Sequence, residues 1–132
     1  MRIPAEKMKE TFLKILLKKG VSQEIAQRSS ANFTESSLDG VYSHGVNRFP
    51  RVIQYLDKGE ISKTATPKCS ASYGALERWD GKLGMGNANA VFAMDRACEI
   101  AREFGVGVVA LGNTNHWMRG GAYGWQAGRQ GF

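Results

Sequence analysis

The sequence has few of the residues that disulfide scaffolds and metal centres need. Among 132 residues there are two cysteines, two histidines and three prolines. Cys69 and Cys98 lie far apart without metal-ligand spacing, so we interpret them as buried free thiols of a reducing, cytoplasmic compartment and expect no metal site. No apolar run approaches the roughly 18 residues of a membrane span. Lysines interrupt the N-terminal segment at helical spacing, which is not the pattern of a secretory signal.

Positive charge is present but not concentrated. The net charge is +6 and the isoelectric point is about 9.6. The densest basic cluster, Lys14, Lys18 and Lys19, ends a predicted helix, where cations complement the helix dipole. Because no basic stripe interleaves with aromatic residues, we expect solvated charge and no nucleic-acid partner. An anionic small-molecule substrate is compatible with this charge.

The first half of the chain has helical periodicity. Apolar residues at three- and four-residue steps predict helices over residues 4–19 and 22–38. A third helix is predicted over residues 50–58, beginning at Pro50, because proline suits a first helical position and disfavours the helical conformation for Phe49. The intervening sequence VYSHGVNR is therefore predicted to be a loop between two helices.

The second half alternates strands with helices. The pattern predicts a hairpin with strands near residues 68–72 and 75–80, a helix over 87–104, a buried strand in VGVVALGN and a last helix from about Ala122. Helices followed by alternating strands and helices predict an α/β (α+β) protein, with a helical unit over residues 1–66 and the start of an α/β unit over residues 67–132. A sheet of about three strands leaves much surface open, so we expect this second unit to be incomplete.

Two segments carry candidate chemistry. His44 lies in the predicted loop beside Ser43, and histidine is the side chain most easily poised as an acid or base near neutral pH. On composition alone, a structural role for a lone loop histidine is the stronger alternative. The other segment, GNTNHWMRGGAYGW, follows a predicted strand, where ligands gather in open α/β sheets. Its alternative is a structural turn with a packed Trp117. GKLGMGN lacks the GxGxxG spacing of a dinucleotide fingerprint.

Three stretches together resemble a known family. GVYSHGVNRFPR, GALERWDGKLGMGN and VVALGNTNHWMRGGAYGWQA resemble the malate/L-lactate dehydrogenase family that is distinct from the Rossmann-type lactate and malate dehydrogenases. The resemblance runs nearly end to end and implies a non-Rossmann cofactor fold, reduction of a small-molecule 2-oxo acid with NADH or NADPH, and a homodimer in the complete enzyme. Family members are much longer, so the resemblance also implies that these residues form an N-terminal portion.

The resemblance implies roles for six residues in the two candidate segments. His44 matches the family's acid/base histidine and would donate the proton, while Arg48 and His116 would bind the substrate. The residues implied on the cofactor side are Ser43, Asn115 and Gly120. An alternative remains open: a non-catalytic remnant or interaction module that keeps the motif but lacks the cofactor site. In either case we expect no reductase activity from residues 1–132 alone.

Overall fold

The described part of the chain, residues 2–132 of this computed structural model, forms two compact units that divide after Thr64. The first unit is helical, and the second contains a three-stranded sheet and two helices. This mixed architecture confirms the predicted fold class. Within residues 2–132, no helix is both long and apolar enough to cross a membrane.

The first unit contains three α-helices and one short 3-10 helix among its described residues. Their bounds are α1 Ala5–Lys18, α2 Gln23–Leu38, the 3-10 helix η1 Tyr42–His44 and α3 Phe49–Asp57. Phe12, Phe33 and Phe49, one from each α-helix, are buried against one another. The rings of Phe12 and Phe49 stack with centroids 4.2 Å apart, and Phe33 meets both edge-on. This aromatic cluster joins the three helices and fixes both ends of residues 39–48.

The helix α2 is buried although its apolar stripe is thin. Six polar side chains are buried along it: Ser29, Ser30, Asn32, Thr34, Ser36 and Ser37. Thr34 Oγ1 donates a hydrogen bond to the Ser30 carbonyl oxygen at 2.8 Å, and Ser37 Oγ donates to that of Phe33 at 2.8 Å. Such bonds to the preceding turn satisfy the hydrogen-bonding requirement of these hydroxyl groups. Threonine and serine can therefore be buried along α2 in place of apolar residues.

The structure refines two expectations about the segment before α3. The helix begins at Phe49 instead of Pro50, and residues 42–44 of the predicted loop form η1. Proline is tolerated at the second helical position because the first four helical N–H groups have no partner within the helix. Burial of Phe49 in the aromatic cluster opposes the local preference that Pro50 imposes on it.

The second unit has its strands in the order β1-β2-β3. The element bounds are β1 Lys68–Tyr73, β2 Leu76–Asp80, α4 Gly86–Phe104, β3 Val108–Gly112 and α5 Gly121–Arg129. The pair β1–β2 is antiparallel, with an irregularity between Cys69 and Ala71. The pair β2–β3 is parallel, with α4 as the connection, and its register sets Asp80 opposite Gly112. The loops that follow β2 and β3 therefore start side by side.

Two predictions of burial were wrong. The strand β3 alternates between exposed and half-buried residues, and Val108 is 44% exposed, because β3 is an edge strand within the described sheet. Cys98 on α4 is a buried free thiol as expected, but Cys69 is exposed. Cys69 lies on β1, the other edge strand, whose residues are nearly all exposed. Burial raises the pKa of the Cys98 thiol.

Candidate functional site

The SHGVNR motif forms one wound turn between α2 and α3. The backbone N–H groups of His44 and Gly45 donate to the Val41 carbonyl oxygen at 3.0 and 3.1 Å. The N–H of Arg48 then donates to the Gly45 carbonyl oxygen at 3.0 Å. Ser43, His44 and Arg48 are thus carried by one continuous, hydrogen-bonded segment, so their backbone positions are fixed relative to one another.

Ser37 fastens this turn to α2. Its Oγ donates to the Phe33 carbonyl oxygen at 2.8 Å and accepts a hydrogen bond from the backbone N–H of Val46 at 2.9 Å. A β carbon on Gly45 would collide with Ser37 Oγ and lie 2.8 Å from the Ser37 nitrogen. Glycine at position 45 is therefore a steric requirement, because the turn passes directly against the helix.

The His44 ring is half-buried, and its Nδ1 lies 2.9 Å from Ser43 Oγ. A serine hydroxyl can donate to an unprotonated ring nitrogen or accept from a protonated one. The contact therefore suits both protonation states of the ring. Arg48 is half-buried at the residue preceding α3, four positions after His44.

In the second unit, Asp80 joins the loops after β2 and β3. Its Oδ1 accepts from the Lys82 backbone N–H at 2.9 Å and from Asn113 Nδ2 at 2.8 Å, and its Oδ2 lies 3.0 Å from Lys82 Nζ. These interactions, with the Lys82 backbone hydrogen bond the largest cause and the Asn113 bond next, lower the pKa of Asp80 to about 2. The carboxylate thus stays ionised and keeps the two loop beginnings together.

An open pocket of about 610 Å³ lies beside α4 and β3. Its walls are mostly small and apolar side chains, and its polar edge is the loop after β3. The lining residues are Ala90, Ala93, Met94, Ala97, Gly107, Val108, Val109, Leu111, Thr114, Asn115, His116, Trp117 and Tyr123. The structure therefore brings Asn115 and His116 to one pocket. Gly120 is not among the residues that line it and precedes the first turn of α5.

The side chains of Asn115 and His116 have defined orientations. Asn115 Nδ2 donates to the carbonyl oxygens of Leu83 and Gly84 at 2.9 and 3.2 Å. His116 Nδ1 accepts from the backbone N–H of Met118 at 2.9 Å, so the neutral ring carries its proton at Nε2. Met118, which supplies this N–H, adopts a positive φ of 67°. His116 therefore presents a hydrogen-bond donor at Nε2.

Trp117 is 56% exposed. The alternative interpretation of this segment, a structural turn, predicts a packed Trp117 side chain. Its ring stacks on that of Tyr123 at 5.8 Å between centroids, and Tyr123 Oη donates a hydrogen bond to the Trp117 carbonyl oxygen. These contacts tie the loop after β3 to α5, while more than half of the Trp117 side chain stays exposed. An aromatic face beside an open pocket can stack on a planar ligand.

Sequence reasoning missed the ion pair that joins α4 to the sheet. Glu77 on β2 is buried and receives hydrogen bonds from Arg96 at 2.7 and 2.9 Å and from Trp79 Nε1 at 2.8 Å. The bonds from Arg96 lower the pKa of Glu77, against the opposing effect of burial. Arg96 also donates to Glu99 at 2.8 Å, and its own pKa is raised. No local pattern relates residues 77 and 96, so only the packing of α4 on β2 reveals the pair.

No group of three or more histidine, cysteine, aspartate or glutamate side chains that could hold a metal ion occurs within residues 2–132. The polar groups at the pocket are the Asn115 amide, the hydroxyls of Thr114 and Tyr123, the His116 imidazole and the Trp117 indole N–H.

The chain is similar to known proteins over its whole length. The 2,3-diketo-L-gulonate reductases of Citrobacter koseri and Pasteurella multocida are each 50% identical to this chain over 132 residues, which is 100% of this chain and 40% of each relative. The chain therefore spans about 40% of the length of these curated relatives.

Solved structures show the same fold. A sulfolactate dehydrogenase from Methanocaldococcus jannaschii superimposes with a TM-score of 0.95 at 35% identity, over 98% of this chain and 38% of that one. A malate dehydrogenase from Entamoeba histolytica superimposes with a TM-score of 0.96 at 30% identity, over 99% and 37%. The family model described as malate/L-lactate dehydrogenase matches residues 3–132. The resemblance seen in the sequence is confirmed, and the chain belongs to the malate/L-lactate dehydrogenase family.

Proposed function

We propose that the chain forms part of an oxidoreductase that reduces a 2-oxo acid to the 2-hydroxy acid with NADH or NADPH, and that the substrate is 2,3-diketo-L-gulonate. The observation that carries the proposal is the His44 ring, held by Ser43 on a turn that Ser37 and Gly45 fasten to α2. Identity of 50% with reductases of that name supports the choice of substrate.

His44 is the proton donor in this proposal. A bound NADH or NADPH supplies the hydride that reaches the carbonyl carbon. The C=O π electrons move to the oxygen, and protonated His44 gives that oxygen its proton, so the product is the neutral hydroxyl group. In the oxidation direction, neutral His44 takes the proton back. Ser43 Oγ, 2.9 Å from Nδ1, keeps the ring oriented in both states.

Arg48 and His116 bind the substrate. The planar guanidinium of Arg48 suits bidentate binding of the 2-oxo acid carboxylate. The Nε2–H of His116, set by the Met118 hydrogen bond to Nδ1, supplies a neutral donor for a substrate oxygen. The carboxylate that Arg48 would bind is present in every 2-oxo acid. The oxygen that His116 would bind is either common to all 2-oxo acids or a hydroxyl group of a polyhydroxylated one.

The pocket residues fit a nicotinamide ring, because apolar walls beside the Trp117 indole suit a planar heterocycle. In this proposal Ser43, Asn115 and Gly120 lie on the cofactor side. Asn115 contributes through the loop that its amide anchors on Leu83 and Gly84. Gly120 contributes a backbone that a ligand can approach closely, since nothing lies within 4 Å of the place that a β carbon would occupy there.

The test is a substrate panel. Residues 1–132 replace the matching segment of the Citrobacter koseri reductase, and oxidation of NADH and NADPH is followed with 2,3-diketo-L-gulonate, pyruvate and oxaloacetate. We expect cofactor oxidation with the highest kcat/KM for 2,3-diketo-L-gulonate. A folded hybrid that oxidises neither cofactor with any 2-oxo acid contradicts the proposal, and a preference for another acid contradicts the substrate assignment.

A further inference from the structure

The glycine-rich sequence GKLGMGN, whose Leu83 and Gly84 anchor the Asn115 amide, lacks the spacing of a dinucleotide fingerprint. Residues 81–86 of it, the glycine turn, connect β2 to α4 and lie against residues 113–118, the His116 loop. The backbone N–H of Gly81 donates to the Gly112 carbonyl oxygen at 2.8 Å, and that of Leu83 donates to the Asn113 carbonyl oxygen at 2.9 Å. The parallel register of β2 and β3 thus continues beyond the strands.

The two segments also approach closely at Gly86. A β carbon at this position would collide with the carbonyl oxygens of Asn115 and His116. Gly86 does not have a positive φ, so backbone conformation does not require glycine here. Glycine is required because only a residue without a side chain lets α4 begin against the backbone of the His116 loop. Any larger residue must push that backbone away.

Asn89 forms a second attachment between the same segments. It is 2% exposed, and its Nδ2 donates to the Gly81 carbonyl oxygen at 3.0 Å and to Thr114 Oγ1 at 2.9 Å. A β carbon on Gly81 would lie 2.7 Å from the β carbon of Thr114 and 2.9 Å from Asn89 Nδ2. The Asn89 amide therefore fills the narrow space between the glycine turn and the loop and bonds to both.

We infer that the glycine turn and Asn89 are a positioning device for His116. They hold the backbone of residues 114–116 at the place where the Met118 N–H reaches His116 Nδ1, and so select the tautomer with the proton at Nε2. If the backbone of residues 114–116 shifts relative to Met118, this N–H and the ring separate, and both tautomers become accessible. The inference rests on the proposed substrate-binding role of His116. It adds that His116 would act towards the substrate as a hydrogen-bond donor through Nε2–H.

The test reads the imidazole nitrogens directly and needs neither substrate nor cofactor. The full chain is labelled with ring-15N histidine and studied by NMR at about pH 8, above the ordinary histidine pKa of about 6.5. The chain has only two histidines, and a His44→Gln sample assigns the two rings. We expect the His116 ring of the unsubstituted chain to be a single tautomer, protonated at Nε2.

Two variants weaken the attachment of the glycine turn to the His116 loop, and a third variant serves as a matched control. Thr114→Val keeps the side-chain shape but removes the acceptor for Asn89, and Gly86→Ala introduces the colliding β carbon. Glu77→Gln also changes a buried polar group near-isosterically in the same unit, but it acts on Arg96 instead of the His116 loop. We expect both tautomers of His116 in Thr114→Val and Gly86→Ala, and the single tautomer in Glu77→Gln.

Circular dichroism and thermal unfolding of each variant show whether it is folded. A folded Thr114→Val variant whose His116 remains entirely in the Nε2–H form overturns the inference, even if Gly86→Ala does not fold. Loss of the single tautomer in Glu77→Gln also overturns it, because general destabilisation would then be the cause. Neither result bears on the substrate panel, so failure of this inference and failure of the proposed function are distinguishable.

Discussion

His44 occupies a setting that suits proton transfer. The half-buried ring is partnered by Ser43 Oγ, and its backbone is fixed by hydrogen bonds of the η1 turn. In the proposed reaction, a ring that keeps contact with solvent would allow its proton to be replaced after each turnover.

Replacing His44 by alanine should lower turnover far more than cofactor affinity. In the hybrid enzyme, we expect kcat for the 2-oxo acid to fall by about a hundred- to ten-thousand-fold, because general acid–base catalysis contributes about that much. The control is Asn47→Ala, an exposed residue of the same turn, which should keep the unsubstituted kcat. Near-normal turnover in His44→Ala would exclude His44 as the proton donor.

Replacing Arg48 by lysine should act on substrate binding. Lysine keeps the charge but cannot form the planar two-pronged contact with a carboxylate. We expect the KM for the 2-oxo acid to rise about tenfold or more, since hydrogen bonds to charged groups contribute about 1.5–3 kcal/mol. Arg51→Lys, an exposed arginine on α3, is the matched control. An unchanged KM in Arg48→Lys would show that Arg48 has a structural role instead.

Among the elements, α2 and the turn that follows it depend on close approach. Because Gly45 lies directly against Ser37, Gly45→Ala should force the SHGVNR turn away from α2. We expect the free energy of unfolding to fall by about 1–3 kcal/mol, the usual cost of overpacking. Gly124→Ala, in α5 where nothing lies near the added carbon, should be neutral or slightly stabilising. Equal urea midpoints for the two variants would contradict this account.

The packing of α4 on β2 should depend on pH through Glu77. Because its folded pKa is lowered, the stabilisation is present above the unfolded pKa of about 4.3 and is lost as the pH falls through the folded pKa. Glu77→Gln should lower the free energy of unfolding at pH 7 by about 1–3 kcal/mol and flatten its decline in acid.

The measurement is urea unfolding at a series of pH values between neutrality and acid. Glu10→Gln removes an exposed carboxylate from α1 and should change the free energy of unfolding at pH 7 by no more than about 0.5 kcal/mol. Identical acid slopes for Glu77→Gln and the unsubstituted chain would show that the Glu77–Arg96 pair does not contribute to the pH dependence.

For the whole molecule, the length relative to its relatives sets an expectation about activity. The chain spans about 40% of the curated reductases that it matches. We expect purified residues 1–132 to oxidise neither NADH nor NADPH with 2,3-diketo-L-gulonate, pyruvate or oxaloacetate, whereas the hybrid enzyme does. Cofactor oxidation by residues 1–132 that disappears in His44→Ala would contradict this expectation.

Local sequence patterns predicted the bounds of the helices and strands more reliably than the burial of their residues. The helix predicted over residues 87–104 ends at Phe104 as expected, and Gly105 follows it with a φ of 79°. The start of α3 was displaced by one residue, because burial of Phe49 acts against the preference set by Pro50. The exposure of β3 and of Cys69 was mispredicted, because β-branched and small residues between turn signals do not say whether another strand lies alongside.

The sequence by itself determined the order of the α-helices and strands and the placement of His44 and Arg48 on one segment between two helices, because spacing and backbone preferences are local. The family followed from the resemblance of three stretches of the sequence. Only the tertiary structure decided that Asn89 bonds to Thr114 and that Glu77 pairs with Arg96. Such contacts join residues far apart in the chain, so they exist only once α4 packs on the parallel strands and brings its buried polar groups within bonding distance of their partners.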